Sequence, residues 1–230
     1  MAKKYTRKEI VAMCETASLN MSSFYQQNFV NYVGTVKGEN SYYTEIIAEW
    51  LLENLDKFDK IQEIQRESSY NLHHDGSYDR ITNRTEELRA KDLFNLKTIY
   101  TGIGRIIDYQ TPLKNTQSDN AGKIDLLSIN DDEKKVFILE LKRDDSHETM
   151  LRCVLEAFTY LKIVSKDKLF SSFDIPADYQ LKAAPLVYQN SKPYTEYTDK
   201  ERKCLHELMQ ELKIEPFILK EFRAFEVTKP

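Results

Sequence analysis

Apolar side chains fall at helical spacing in several stretches of this 230-residue chain. Residues 7–33 read as one or two helices with Ile10, Val11, Phe24, Phe29 and Val30 as core contacts. VGTVKGENS, 33–41, is a loop marked by two glycines. SYYTEIIAEWLLENL, 41–55, sets Tyr43, Ile46, Ile47, Trp50 and Leu51 on one broad apolar face. Another helix is expected over 84–97. The clearest is DSHETMLRCVLEAFTYLKIV, 145–164, with a stripe of Leu151, Val154, Leu155, Phe158 and Leu161. Asp145 and Glu148 form a capping box at its start, and Thr198 with Glu201 give the same signal before ERKCLHELMQELKI.

Strand-like runs appear in GRIIDYQTPL (104–113), KIDLLSIN (123–130), VFILELK (136–142) and LKAAPLVYQN (181–190), with PFILKEFRAFEV as a last strand. Residues 66–83 are polar and loop-rich, and NTQSDNAG, 115–122, is a turn or loop. The order is helix, strand, strand, strand, helix, strand. Three consecutive strands imply antiparallel meander pairing, and the strand after helix 145–164 returns parallel through a crossover. The predicted fold class is therefore α/β, a central mixed β-sheet flanked by helices, with extra N- and C-terminal helices. The chain reads as one domain, 1–230: an N-terminal helical elaboration (about 1–38), a core (about 39–190) and a C-terminal helix and strand (about 191–230).

Composition narrows the class. A hydrophobic content of 41% with 30% charged residues fits a globular protein. No apolar run approaches the roughly 20 residues of a membrane span, and the basic start lacks an apolar signal region. Three cysteines without C-x-x-C spacing argue against a disulfide framework or thiolate zinc site and suit the cytoplasm. His73 and His74 are adjacent and form no H-E-x-x-H pattern. A net charge of −4 does not announce nucleic-acid binding, yet a local basic strip can coexist with an acidic remainder.

Candidate chemistry sits in GKIDLLSINDDEKKVFILELKR, 122–143. Folding it about the polar turn so that Ile129 faces Val136 sets Leu127 against Ile138, Asp125 against Glu140 and Lys123 against Lys142. The charged pairs are then like on like, which is destabilising unless a cation lies between the carboxylates. Two hard oxygen donors suit Mg²⁺ or Mn²⁺. A register shifted by two would instead give an ordinary Lys123–Glu140 salt bridge.

An Asp inside one strand (KIDLL), E-L-K at the end of the next (FILELK) and an amphipathic helix straight after resemble the PD-(D/E)xK nuclease superfamily over roughly residues 39–190. The resemblance implies a restriction-endonuclease-like fold and metal-dependent hydrolysis of phosphodiester bonds in nucleic acid, with DNA as the expected substrate. It also implies Asp125, Glu140 and the Leu141 carbonyl as metal ligands, with Lys142 orienting and helping to deprotonate water or stabilising phosphate charge. Family members often add a glutamate from the first core helix; Glu49 is favoured over Glu45, with Glu39 preceding the helix. Glu156 and Tyr160 stand where the family often has Gln and Tyr, and Ile124 where its motif has Pro. Lys123 joins Glu45, Glu156 and Tyr160 as a cleft candidate, Lys114 and Arg143 are further phosphate contacts to consider, and a homodimer is left open. The rival is a catalytically silent relative acting as a protein- or nucleic-acid-interaction module.

Overall fold

A computed structural model describes residues 4–78, 85–115, 121–221 and 225–229. The helices are α1 (Arg7–Ala17), α2 (Tyr43–Leu52), α3 (Thr85–Asn95), α4 (Met150–Ile163), α5 (Lys166–Ser172), α6 (Lys192–Thr198) and α7 (Lys203–Leu212). The strands are β1 (Ile99–Tyr100), β2 (Gly104–Pro112), β3 (Lys123–Asn130), β4 (Lys135–Lys142), β5 (Gln180–Tyr188), β6 (Phe217–Glu221) and β7 (Phe225–Thr228). They form one seven-stranded mixed sheet in sequence order.

Pairing is antiparallel from β1 through β4 and parallel at β4–β5 and β5–β6; β6–β7 is an antiparallel hairpin. The parallel pairs follow from their connections, since α4 and α5 carry the chain from β4 to β5, and α6 and α7 carry it from β5 to β6. The sheet curls strongly. A Cβ on Gly102, at the β1–β2 turn, would lie 2.9 Å from the ring of Phe217 on β6, so the two flanks approach each other. Between them lies a core of Leu93, Phe94, Ile103, Leu126, Leu139, Leu186 and Leu219. The opposite face carries the larger core, in which Leu127, Ile129, Val136 and Ile138 meet Ile10 of α1, Ile47 and Leu51 of α2, Leu151 and Val154 of α4, and Leu208 of α7.

Several boundaries depart from expectation. The tail makes two strands, with Glu221 of β6 paired with Phe225 of β7. Helix α4 begins at Met150 with Thr149 as N-cap; Thr149 Oγ1 accepts from the Arg152 N–H at 3.2 Å and donates to the Val30 carbonyl at 2.9 Å. Asp145 pairs instead with Arg143, and Glu148 with Arg152, so the expected capping box does not form. Thr198 closes α6, and α7 has no side-chain cap from its own N-cap residue; Glu45 of α2 accepts from the Cys204 and Leu205 N–H groups at 2.8 and 3.0 Å. In α7 a tertiary partner takes the place of the local cap that the sequence offered, whereas in α4 a neighbouring residue, Thr149, does so. Parts of the expected 66–83 and 115–122 loops lie outside the described residues.

Candidate metal and phosphate site

Asp125, Glu140 and Lys142 meet where β3 and β4 part. The ladder runs from Asn130↔Lys135 to Leu126↔Leu139, including Ile129↔Val136 and Leu127↔Ile138. Asp125 and Glu140 are the next pair in that register, on the face of Leu127 and Ile138 beneath α4. Asp125 bridges the fork. Its Oδ2 accepts from the Leu141 N–H at 3.0 Å, and its Oδ1 accepts from Gln110 Nε2 at 2.9 Å. The N–H and C=O of one strand residue point to the same edge, so the Leu141 carbonyl shares the edge that Asp125 occupies. Gln110 stands opposite Asp125 on β2, with φ at +50°, a conformation costly for a residue with a Cβ. That strand also slips register between Ile106 and Asp108.

Lys142, only 4% exposed, is surrounded by carboxylates. Its Nζ lies 2.7 Å from Glu140 Oε1, 3.0 Å from Glu148 Oε2 and 3.4 Å from Glu156 Oε2. Arg152 holds the other oxygen of Glu148 at 2.9 Å, and the Tyr160 hydroxyl donates to Glu156 Oε1 at 3.1 Å. Gly122 fits against that hydroxyl: a Cβ there would lie 2.1 Å from it. Glu140 Oε2 is buried without a hydrogen-bond partner among the described residues.

Electrostatics follow from burying this cluster. Desolvation pushes the Asp125 carboxyl up to about 7, with Lys142 pulling down and Glu86 and Glu156 pushing up. Glu140 goes well above the ordinary carboxylate range through burial and the charges of Asp125 and Glu156, against Lys142. For Lys142, burial works against the charged form, but Glu140, Glu156 and Glu148 outweigh it and raise the ammonium well above its ordinary value. Lys142 is thus a fixed cation. Its surroundings raise the ammonium where a lysine base would need it lowered toward neutrality.

The structure gathers Asp125, Glu140, Leu141, Lys142, Glu156 and Tyr160. It sends the helix glutamates elsewhere: Glu49 and Glu39 pair with Arg7, and Glu45 caps α7. The expectation that Glu49 or Glu45 completes the metal set is corrected by this packing, in which α2 turns those carboxylates toward α1 and α7. Lys123 pairs with Pro112 on β2 and is exposed, not opposed to Lys142. Arg143 binds Asp145 and Thr85, and the Lys114 carbonyl accepts from Arg66. Asp108 accepts from Thr111 at 2.6 Å and contacts His74 Nδ1 at 2.8 Å, with the imidazole stacked on Tyr109.

Three site residues escaped the sequence reading. Glu86 lies in the first turn of α3, and its carboxyl is raised by burial and by Glu148 and Glu156, with Lys142 acting against them, so a different helix brings a further carboxylate into electrostatic reach of the cluster. Glu148 reads as a cap in sequence. Gln110 gives an amide to Asp125 from β2, whereas the family resemblance directs attention to α4. Only the alternation of β2 could have pointed to Gln110; nothing local to residues 84–90 marks Glu86.

The carboxylates converge on the Lys142 ammonium. Among the described residues no three His, Cys, Asp or Glu side chains are arranged to hold a metal ion, although Asp125, Glu140 and the Leu141 carbonyl share one edge. Among the same residues no helix is long and apolar enough to cross a membrane. The chain matches no protein-family model, no curated protein and no solved structure.

Proposed function

We propose that this chain is a metal-dependent nuclease of the PD-(D/E)xK, restriction-endonuclease-like type, hydrolysing phosphodiester bonds in DNA. The observation that carries the reading is the pair of the half-buried Asp125 and the buried Glu140 at the fork of β3 and β4, with Lys142 fixed beside it. Burying two carboxylates together is costly, and a divalent cation offsets the cost. The donor chemistry fits Mg²⁺ or Mn²⁺: carboxylate oxygens, one of them the unpartnered Glu140 Oε2, with no sulfur or imidazole among the groups that bond to them.

Asp125, Glu140 and the Leu141 carbonyl would hold the ion, which when bound acts as a Lewis acid and lowers the pKa of water. The chain's own residues do the rest. Lys142 keeps a positive charge where a scissile phosphate gathers negative charge. Gln110 and the Leu141 N–H fix the orientation of Asp125. Tyr160 and Arg152 hold Glu156 and Glu148 around the lysine.

A second reading has its own support. Lys142 is saturated by carboxylates, no metal-ligand set is arranged among the described residues, and Glu156 replaces the Gln of the family pattern. These features suit a catalytically silent relative that serves as an interaction module. Incubating the protein with single- and double-stranded DNA and RNA, in Mg²⁺, Mn²⁺ or EDTA, separates the two. The nuclease reading expects divalent-dependent cleavage that falls to background in Glu140→Gln. Absence of cleavage on every substrate, or equal cleavage by Glu140→Gln, overturns it.

A further inference from the structure

The Glu148 carboxylate lies between two cations. Its Oε2 is 3.0 Å from Lys142 Nζ, and its Oε1 is 2.9 Å from Arg152 Nε. These contacts are close but poorly aligned: Glu148 Oε2 and Arg152 Nε are both buried atoms without a directed hydrogen-bond partner among the described residues. An ammonium has three N–H donors, and Lys142 is surrounded by three carboxylates, Glu140, Glu148 and Glu156. The ammonium proposed to meet a scissile phosphate therefore has no N–H to spare while Glu148 stays in place. Arg152 has no other ion pair among the described residues.

The three carboxylates are not held alike. Glu140 belongs to β4, and Glu156 to the middle of α4, where Tyr160 donates to its other oxygen at 3.1 Å. Glu148 lies in the connection between the two elements, and its side chain is 25% exposed, against 5% for Glu140 and 11% for Glu156. The backbone on either side of it is tied down. Lys192 Nζ donates to the His147 carbonyl at 2.7 Å, and the Thr149 N–H donates to Asn31 Oδ1 at 2.7 Å. Rotation about the Glu148 side-chain bonds is thus enough to swing its carboxylate to solvent, with the fold unchanged. It leaves behind an ammonium and a guanidinium spaced to take two oxygens of one anion. A phosphodiester carries two non-bridging oxygens, the same number as a carboxylate, and both cations suit it. The position is one ammonium away from Glu140.

We infer that Lys142 and Arg152 form a clamp for one backbone phosphate of DNA, and that Glu148 occupies the clamp in this structure as an internal competitor. The choice of ligand rests on the proposed nuclease reading, but the test reads binding rather than cleavage. Fluorescence anisotropy of the full chain with a short labelled DNA, single- and double-stranded, is measured in Ca²⁺, which takes oxygen ligands as Mg²⁺ does. Glu148→Gln removes the charge at nearly constant volume and should bind DNA about tenfold more tightly than wild type. Asp144→Asn removes the same charge from an exposed position in the same connection and should change affinity by less than about twofold. In an Arg152→Gln background the gain from Glu148→Gln should disappear. Far-UV circular dichroism and thermal melting without DNA establish that the variants fold. Glu148→Asp, which draws the carboxylate back without removing it, is a milder variant expected to gain about threefold. An equal gain in Asp144→Asn overturns the inference, as does a gain that survives Arg152→Gln, or unchanged binding by the folded Glu148 variants. A wild type that cleaves DNA while Glu148→Gln gains nothing removes the clamp and leaves the nuclease reading standing. The expected gain without cleavage by any variant in Mg²⁺ does the reverse, and no DNA binding by any variant overturns both.

Discussion

Lys142 is the hub on which the candidate site turns. It neutralises part of a buried group comprising Glu140, Glu148 and Glu156, and removing one partner of a buried ion pair costs about 3–5 kcal/mol because the others are left uncompensated. Lys142→Met should therefore destabilise the fold by about that amount at pH 8 and by less at pH 5, where carboxyls such as Glu140 take up protons; chemical denaturation at the two pH values measures the difference. Asp125 makes the complementary prediction. Its folded pKa is about 7 and its ordinary value 3.8, so between them the native state holds a proton that the unfolded chain has lost. Stability from this group is full below the lower value and is lost as pH rises through the upper one. In EDTA the melting temperature should fall between pH 5 and pH 8, and Asp125→Asn should flatten that fall. The asparagine can still accept from Leu141 and, with the Gln110 amide turned over, donate to it, so the variant should melt no lower than wild type at pH 8. A mutant melting far below wild type would assign Asp125 to the scaffold.

At the scale of elements, the two kinds of buried carboxylate separate cleanly. Glu45 serves α7, accepting two of its otherwise orphaned N–H groups, and nothing in its contacts touches the cluster at the β3–β4 fork. Glu45→Ala should cost about 1–2 kcal/mol in denaturant unfolding, the range for a lost helix cap, while leaving any divalent-dependent cleavage unchanged. The hairpin was legible in sequence because its apolar pairs, Leu127 with Ile138 and Ile129 with Val136, admit that register without burying charge against them. So were β2, β5 and α2, whose patterns are strong and local. What could not be read are the long-range exchanges: Glu45 capping a helix some 160 residues away, and α3 delivering Glu86. Each is set by which surfaces pack together, and a local pattern carries no information about that. The split of the tail into β6 and β7 belongs here too, since one apolar run serves equally for one strand or a hairpin.

Across the whole molecule, the curled sheet divides the chain's electrostatics. The C-terminal end of β4 concentrates carboxylates around one lysine, and its N-terminal end opens on a groove of lysines. The acidic end repels a polyanion, so the proposed nuclease reading requires nucleic-acid engagement there to depend on divalent ion. A cation that binds only the folded state raises stability by mass action, about 2.7 kcal/mol at a hundredfold excess over Kd. The most direct measurement is the melting temperature in EDTA and in a Mn²⁺ titration for wild type, Asp125→Asn and Glu45→Gln. The account predicts a saturable rise with Mn²⁺ in wild type and Glu45→Gln and none in Asp125→Asn. A wild type indifferent to Mn²⁺, or a rise that survives in Asp125→Asn, would contradict it.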